Sequence, residues 1–306
     1  MTRVPLAALA ALLALASPAG SRPATGAAPY TFVLGIAQDG GVPQAGCHKS
    51  CCTSGRHQRV ASLAIVDPGT HRWWLIDATP DFPSQLARMT AEAPACSLAG
   101  IFLTHAHIGH YAGLMHLGRE VMGSRGMPVW AMPRMREFLA ANGPWSQLVS
   151  LRNVEVGALA ADSAITLGDS LHVTPFRVPH RDEFSETVGF RIDGPRGSVV
   201  YLPDIDKWER WDRRIEDVCA GVRVAYLDGT FFAAAELPGR DMKEIPHPFI
   251  VESLSRFAAL PAAERKHIRF IHLNHTNRAG ITGSSERKRI ESSGSGVATN
   301  GERVPL

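Results

Sequence analysis

The sequence predicts an α/β protein in which helices pack outside a core of β-sheet. Short apolar runs typical of strands alternate with segments of helical periodicity along the 306 residues, and this order favours a layered fold. The composition, 45% hydrophobic and 20% charged, is ordinary for a folded protein, and no linker divides the chain. The formal net charge of +3 is too small and too evenly spread to indicate a nucleic-acid partner. We therefore expect one domain over residues 29–306.

Residues 1–28 are predicted to be a signal peptide with a short linker. Arg3 precedes an apolar run over residues 4–16, and Ser17, Pro18 and Ala19 supply the small residues of a cleavage site. The run is shorter than the ~20 residues that span a bilayer, so a retained membrane anchor is the less favoured alternative. We expect a bacterial protein that is periplasmic or secreted.

Periodicity and turn residues place the elements of this domain. Pro68 and Gly69 mark the turn of a hairpin, whose strands are expected at 61–66 and 73–76. The other expected strands are 30–36, 99–103, 127–131, 164–167, 171–178, 188–192, 198–202, 222–227 and 268–273. Helices are expected at 82–92, 115–122, 133–142, 208–218, 248–259 and 284–290.

Three histidines follow the apolar strand 99–103. His105, His107 and His110 lie within six residues, in the stretch Thr104-His105-Ala106-His107-Ile108-Gly109-His110. Neutral imidazole is the commonest protein ligand for zinc and also suits iron. A polar loop with coincidental histidines is the alternative, but the clustering after a strand favours one or two metal ions.

Other candidate ligands also stand where a predicted strand meets a loop: His180, Asp204 and His275. Singly, these residues have ordinary explanations as a surface histidine, a helix N-cap and a turn residue. Together, in this order, they predict a metal site. His272 is the competing candidate for the last metal ligand in chain order. The side chain of His272 should point inward from a strand, so we favour His275.

The sequence gives weaker support for a functional role of two further residues, Asp228 and His247. Asp228, in Asp228-Gly229-Thr230, follows the strand 222–227 and could be a proton acceptor near the metal, although a turn-forming Asp-Gly is nearly as good an interpretation. His247 could face the substrate, but we interpret it as the start of the helix that follows.

Three cysteines cluster with a histidine in the stretch Gly46-Cys47-His48-Lys49-Ser50-Cys51-Cys52. In an oxidising compartment, Cys47, Cys51 and Cys52 could include a disulfide with one thiol left over. They could equally form a small structural zinc site. Both alternatives stay open.

The histidine stretch resembles the second signature motif of the metallo-β-lactamase-fold superfamily, Thr-His-x-His-x-Asp-His. The resemblance implies an αββα sandwich, with two facing sheets flanked by helices and the metal at one edge. It also implies a role for Asp77, which orients ligands from behind without touching the metal. The residues that match the later motifs are His180, Asp204 and His275.

Gly109 stands where the motif has an aspartate that binds the second metal. The resemblance implies a first site of His105, His107 and His180, with Asp204 bridging. His110 and His275 would then hold a weakened second site. We expect one or two zinc ions, with iron or manganese as alternatives.

Within the superfamily, the chain resembles the B proteins of pyrroloquinoline-quinone biosynthesis over most of its mature length. The shared stretches include Gly40-Gly41-Val42-Pro43-Gln44, Tyr201-Leu202-Pro203-Asp204 and His272-Leu273-Asn274-His275-Thr276-Asn277. The first hypothesis is a metal-dependent hydrolase of a small molecule, in which the ion makes hydroxide available at neutral pH and Asp204 positions the water. The alternatives are a metal-dependent oxygenase of quinone-cofactor biosynthesis and a non-catalytic binding protein.

Overall fold

The structure is a computed structural model that describes residues 28–241 and 244–306. The signal peptide expected at the N-terminus lies outside the described residues. Within these ranges, two sheets of seven strands each form the core, and helices pack on the sheets. No helix in this part of the chain is long and apolar enough to cross a bilayer.

The first sheet combines the N-terminal half of the domain with its last strand. Its strands are β1 (Tyr30–Gly35), β2 (Ser62–Asp67), β3 (Arg72–Ile76), β4 (Ser97–Phe102), β5 (Met127–Ala131), β6 (Val154–Ala158) and β14 (Arg303–Pro305). The spatial order is β14-β1-β2-β3-β4-β5-β6. Neighbours from β14 to β3 are antiparallel, whereas β3 to β6 are parallel.

The second sheet contains the intervening strands. They are β7 (Ile165–Gly168), β8 (Leu171–Val178), β9 (Thr187–Gly194), β10 (Gly197–Leu202), β11 (Val224–Asp228), β12 (Ile268–Ile271) and β13 (Gly296–Val297), which lie side by side in chain order. Strands β7 to β10 are antiparallel, whereas β10 to β13 are parallel. The parallel strands therefore bring their carboxyl ends to a common edge.

The helices are α1 (Ser50–Thr53), α2 (Phe82–Glu92), α3 (Ile108–Tyr111), α4 (Pro133–Ala141), α5 (Trp145–Ser150), α6 (Ile215–Val218), α7 (Ile250–Phe257), α8 (Ala262–Arg265) and α9 (Ser285–Ser292). Phe82 of α2 and Leu139 of α4 are buried in one apolar cluster with residues of the first sheet. Ile250 and Phe257 of α7 are buried in a second cluster, which contains the second sheet. The predicted αββα sandwich is confirmed.

Aromatic rings join the two sheets. Phe102 of β4 packs edge-on against Phe190 of β9, with ring centroids 5.8 Å apart, and it stacks on Trp130 of β5 at 4.6 Å. Phe102 and Phe190 are fully buried. The contact fixes the sheets close to the point where β4 ends and the histidine stretch begins.

The helix predicted at 115–122 is wrong. Residues 112–117 form a 3₁₀ helix that continues from α3, and Gly118 leaves the helical conformation. The backbone N–H of Gly113 donates to Ala78 O (2.8 Å), so it is not available for a helical bond. A Cβ at position 113 would lie 2.2 Å from Thr79 O, which shows how closely this segment packs on the loop after β3.

Residues 208–218, also expected to be one helix, contain only a 3₁₀ turn at Trp208–Arg210 and the short α6. The indole N–H of Trp208 donates to Ser253 Oγ (2.9 Å), whereas that of Trp211 donates to Arg177 O (3.0 Å). Because one ring is anchored to α7 and the other to β8, the segment between them is irregular rather than one continuous helix. Strand β6 and helix α5 had not been predicted; β6 is a short edge strand that contains Gly157.

We predict that Phe190→Ala lowers the free energy of unfolding by about 3–5 kcal/mol, because it removes a buried ring between the sheets and leaves a cavity. The exposed Phe184 is the control, and Phe184→Ala should cost less than about 1 kcal/mol. Denaturant unfolding of the two variants measures the difference, and equal losses would contradict the packing described here.

Candidate metal centre

The candidate metal centre lies where strands of both sheets reach their carboxyl ends. In the first sheet, Asp77 follows β3, and the histidine stretch follows β4. In the second sheet, the residues at or just beyond strand ends are His180 after β8, Asp204 after β10, Asp228 at the end of β11 and His272 after β12. Open sheets commonly bind ligands at this edge, beyond the carboxyl ends of their strands.

Asp77 orients the histidine stretch. Its backbone φ of +67° lies in the left-handed region that non-glycine residues seldom adopt. The buried carboxylate accepts hydrogen bonds from the backbone N–H (2.9 Å) and hydroxyl (3.0 Å) of Thr104. It also lies 2.8 Å from Nδ1 of His110. Asp77 therefore holds the His110 ring from behind and leaves Nε2 to face the centre.

The first ligand cluster consists of His105, His107, His180 and Asp204, whose ligand atoms all lie within 4.8 Å of one another. Nε2 of His105 is 2.8 Å from Nδ1 of His107 and 3.5 Å from Oδ2 of Asp204. Nε2 of His180 is 3.8 Å from Oδ1 of Asp204. The structure thus brings four of the predicted ligands, spread over a hundred positions of the chain, to one point.

The other nitrogens of these rings contact neighbouring side chains. Nδ1 of His105 is 2.9 Å from the Thr104 hydroxyl, and Nδ1 of His180 is 3.2 Å from Oδ1 of Asp206. Such contacts fix the ring orientation and the tautomer of metal-binding histidines.

The second ligand cluster consists of Asp39, His110, Asp204 and His272, again within 4.8 Å of one another. Nε2 of His110 is 3.1 Å from both Oδ1 of Asp39 and Oδ2 of Asp204. Nε2 of His272 is 3.6 Å from the same Asp39 oxygen and 3.4 Å from the same Asp204 oxygen. Asp204 belongs to both clusters. Sequence reasoning missed Asp39.

His275 does not lie in either cluster, so the preference for it over His272 was wrong. That preference assumed that His272 continues its strand and points into the core. Strand β12 ends at Ile271, and His272 has a φ of +62°, so its side chain turns toward the centre. The Thr230 hydroxyl lies 3.0 Å from Nδ1 of His272, which leaves Nε2 facing the cluster.

Asp228, which the sequence suggested as a proton acceptor near the metal, is held by hydrogen bonds within the protein. Its fully buried carboxylate accepts hydrogen bonds from the backbone N–H groups of Ile205 (3.1 Å) and Thr230 (2.9 Å). It also lies 2.8 Å from Nδ1 of His247, a residue that sequence analysis set aside. His247 is thereby placed 3.4 Å from Oδ1 of Asp204. Burial lowers the pKa of His247, but the Asp228 and Asp204 carboxylates raise it to about 9.

Several atoms that face the clusters are buried and have no hydrogen-bond partner. They are Nε2 of His110, His180 and His272, and Oδ1 of Asp39 and Asp204. Burial also lowers the pKa of His105 well below its ordinary value, so this ring is neutral and keeps a lone pair. Unpaired buried polar atoms are costly, and zinc accepts imidazole nitrogen and carboxylate oxygen. The donor set therefore fits a divalent metal ion.

His275 lies instead with the cysteines. One ligand atom from each of Cys47, Cys51, Cys52 and His275 lies within 4.8 Å of the other three. The Sγ atoms of Cys47 and Cys51, and those of Cys51 and Cys52, are 3.9 Å apart, and all five cysteines are free thiols. Nδ1 of His275 is buried without a hydrogen-bond partner. The structure thus adds a fourth potential ligand to the cysteine cluster.

The fold and this arrangement of histidines and carboxylates define a metallo-β-lactamase-fold protein. Residues 72–272 match the family model described as the beta-lactamase superfamily domain. The chain belongs to this superfamily, as its signature motif predicted.

Similarity to proteins of quinone-cofactor synthesis is also confirmed. The chain is 28% identical over 311 residues to coenzyme PQQ synthesis protein B of Xanthomonas campestris pv. campestris, with 90% of this chain and 99% of that protein covered. Zn²⁺-bound PqqB from Methylobacterium extorquens shares the fold, with a TM-score of 0.73, 24% identity and coverage of 90% and 100%. A diphosphatase of the PhnP family gives a TM-score of 0.64, with 23% identity and coverage of 91% and 97%.

We predict that Asp77→Asn lowers the metal affinity of the centre by about 10–100-fold, because the ring of His110 loses its charged partner. Asp67, a buried aspartate that bonds within the β2–β3 turn, provides the matched control Asp67→Asn. Competition with a metal-sensitive dye measures both affinities. Equal affinities of Asp77→Asn and the unaltered protein would refute the orienting role.

Proposed function

We propose that this protein is a metal-dependent hydrolase of a small-molecule substrate. The observation that carries the proposal is the convergence of buried, unpartnered ligand atoms from both sheets at one edge of the sandwich. The similarity of the fold to a diphosphatase supports it. The substrate class is an ester, amide or phosphodiester, whose bond is cleaved by the addition of water.

His105, His107, His180 and Asp204 would hold the first ion. When bound there, a divalent ion would supply Lewis acidity and lower the pKa of a coordinated water to about 7. Asp204 is 2% exposed, so its carboxylate acts in a site from which bulk water is largely excluded. We assign Asp204 to orient the attacking water and to accept its proton.

Neighbouring residues keep this arrangement rigid. Asp206 holds the ring of His180, and the guanidinium of Arg210 donates to Asp206 at 2.9 Å. Asp228 anchors both the backbone of Ile205, next to Asp204, and the ring of His247. We assign Asp228 and His247 as positioning residues, because their contacts fix the Asp204 carboxylate.

We propose that the enzyme acts outside the cytoplasm. The basis is the sequence of residues 1–28, with its single arginine, apolar run and small-residue cleavage site. This location also separates the protein from a role in cytoplasmic cofactor synthesis.

We predict that His107→Ala lowers metal-dependent hydrolysis at least about a hundredfold and reduces the metal content, since it removes a ligand of the first ion. The control is His172→Ala: His172 lies at the other end of β8 from His180, roughly 26 Å along the strand at ~3.3 Å per residue. The probes are bis(p-nitrophenyl) phosphate and p-nitrophenyl esters, together with elemental analysis. Unchanged turnover of a probe by His107→Ala would refute the assignment.

The alternative is a metal-dependent oxygenase, and the observation that favours it is the similarity to coenzyme PQQ synthesis protein B. Elemental analysis of protein purified from its own compartment separates the two. If the protein contains iron and consumes oxygen, the oxygenase replaces the hydrolase as the proposed function. A protein that gains neither metal nor stability from added zinc, iron or manganese would instead be a non-catalytic binding protein.

We further propose that Cys47, Cys51, Cys52 and His275 bind a structural zinc ion. Two thiolates on a tetrahedral zinc, with bonds of about 2.3 Å, lie roughly 3.8 Å apart, whereas disulfide sulfurs are only about 2.05 Å apart. The observed separation of 3.9 Å fits the zinc arrangement. The unpartnered Nδ1 of His275 supports it as the fourth ligand.

We predict that Cys51→Ser removes one zinc ion per chain and lowers Tm, because a structural zinc ion contributes directly to folding stability. Cys96→Ser, at a half-buried cysteine outside the cluster, is the control and should keep the metal content. A disulfide would give a different result: thiol titration of the unfolded protein would then find two thiols fewer than five, and reductant rather than chelator would lower Tm.

A further inference from the structure

Asp39 fills the space beside the metal centre that a side chain at position 109 would occupy. A Cβ added at Gly109 would lie 2.2 Å from Oδ1, 2.6 Å from Cα and 2.7 Å from Cγ of Asp39. Real Cβ atoms do not approach other heavy atoms so closely, and the contact includes backbone. A side chain at position 109 therefore cannot coexist with Asp39 as it is placed here.

The loop that carries Asp39 is anchored on the second sheet. The backbone N–H of Gln38 donates to Leu273 O (2.9 Å), and that of Leu273 donates to Ile36 O (2.8 Å). Asp39 comes directly after this pairing, and its Oδ1 lies 3.6 Å from Nε2 of His272. The position of Asp39 is thus set by backbone pairing rather than by its own side chain.

The Asp39 carboxylate faces the second ligand cluster. Its Oδ1 is buried without a hydrogen-bond partner, 3.1 Å from Nε2 of His110 and 3.6 Å from Nε2 of His272. Those two nitrogens are themselves buried and unpartnered, and they lie 3.1 Å and 3.4 Å from Oδ2 of Asp204. A single small cation could satisfy the Asp39 oxygen and both imidazole nitrogens at once, because it accepts an electron pair from each of them.

We propose that Asp39 is the carboxylate ligand of a second metal ion, together with His110, Asp204 and His272, and that residue 109 is glycine because Asp39 fills its side-chain space. The inference rests on the proposed metal-dependent function and extends it to a centre of two ions. Asp204, whose oxygens face both clusters, lies between the two positions. The second site is then complete, rather than weakened by the glycine in the signature motif.

The first test removes the carboxylate. Asp39→Ala should bind one ion fewer per chain than the unaltered protein after equilibration with zinc and desalting, as measured by elemental analysis. The ion of the cysteine cluster and the first ion of the centre are unaffected by this change, so the difference isolates the second site. Asp169→Ala, which removes an exposed carboxylate far along the chain, is the control and should keep the full metal content.

The second test leaves every ligand in place. Gly109 lies in α3 and has no left-handed φ, so alanine fits its backbone and differs only by the methyl group that Asp39 excludes. Gly109→Ala should therefore also lose one ion per chain.

The results separate this inference from the proposed function. If Asp39→Ala or Gly109→Ala keeps the full metal content, the assignment of Asp39 and Gly109 is overturned, while the first site stands. If the unaltered protein binds metal only at the cysteine cluster, both proposals are overturned. Zinc-induced shifts in Tm give an independent readout, and Asp39→Ala should show a smaller shift than Asp169→Ala.

Discussion

Negative charge at this edge of the sandwich is the constraint on which the rest of the site depends. Asp39, Asp77, Asp204 and Asp228 contribute four carboxylates, and in the described part of the chain every ion-pair partner of these four is a histidine. Buried carboxylates need paired charge, and a histidine supplies it only when protonated, a form that cannot bind metal. Without an ion, burial lowers the pKa of His110, but Asp77, Asp204 and Asp39 raise it well above its ordinary value. A divalent cation balances the carboxylates while the rings stay neutral.

The sandwich supplies the rigidity that such a site requires. Ligands come from the ends of strands in both sheets, and each sheet is fixed by the buried core between them. The segment after β1 crosses this gap, because Ala37 forms bridges to both Val60 and Leu273. The outward nitrogens of His105, His110, His180 and His272 meet Thr104, Asp77, Asp206 and Thr230, so these four rings have little freedom to turn. Ligand atoms held in this way lose little entropy when an ion binds.

Much of the fold and of the first cluster was predictable from the sequence, because a polar residue after an apolar run carries a local signal. His105, His180 and Asp204 all follow recognisable strands. The choice between His272 and His275 was not predictable, since it depends on where β12 ends and on the left-handed conformation of a single residue. Asp39 was missed for a different reason. Its loop has no strand end of its own, and its approach to the centre depends on pairing with residues more than two hundred positions away.

Gly109 illustrates why a gap in a sequence motif is weak support for a lost ligand. A metal ion is bound by atoms at suitable distances, and the chain segment that supplies each atom is irrelevant to the bond. The volume that a side chain at position 109 would enter is filled by the carboxylate of Asp39. The number of carboxylates facing the centre is therefore the same whether the aspartate stands at position 109 or at position 39. Because charge balance depends on that number, either arrangement satisfies the same second ion, and the two positions must be considered together.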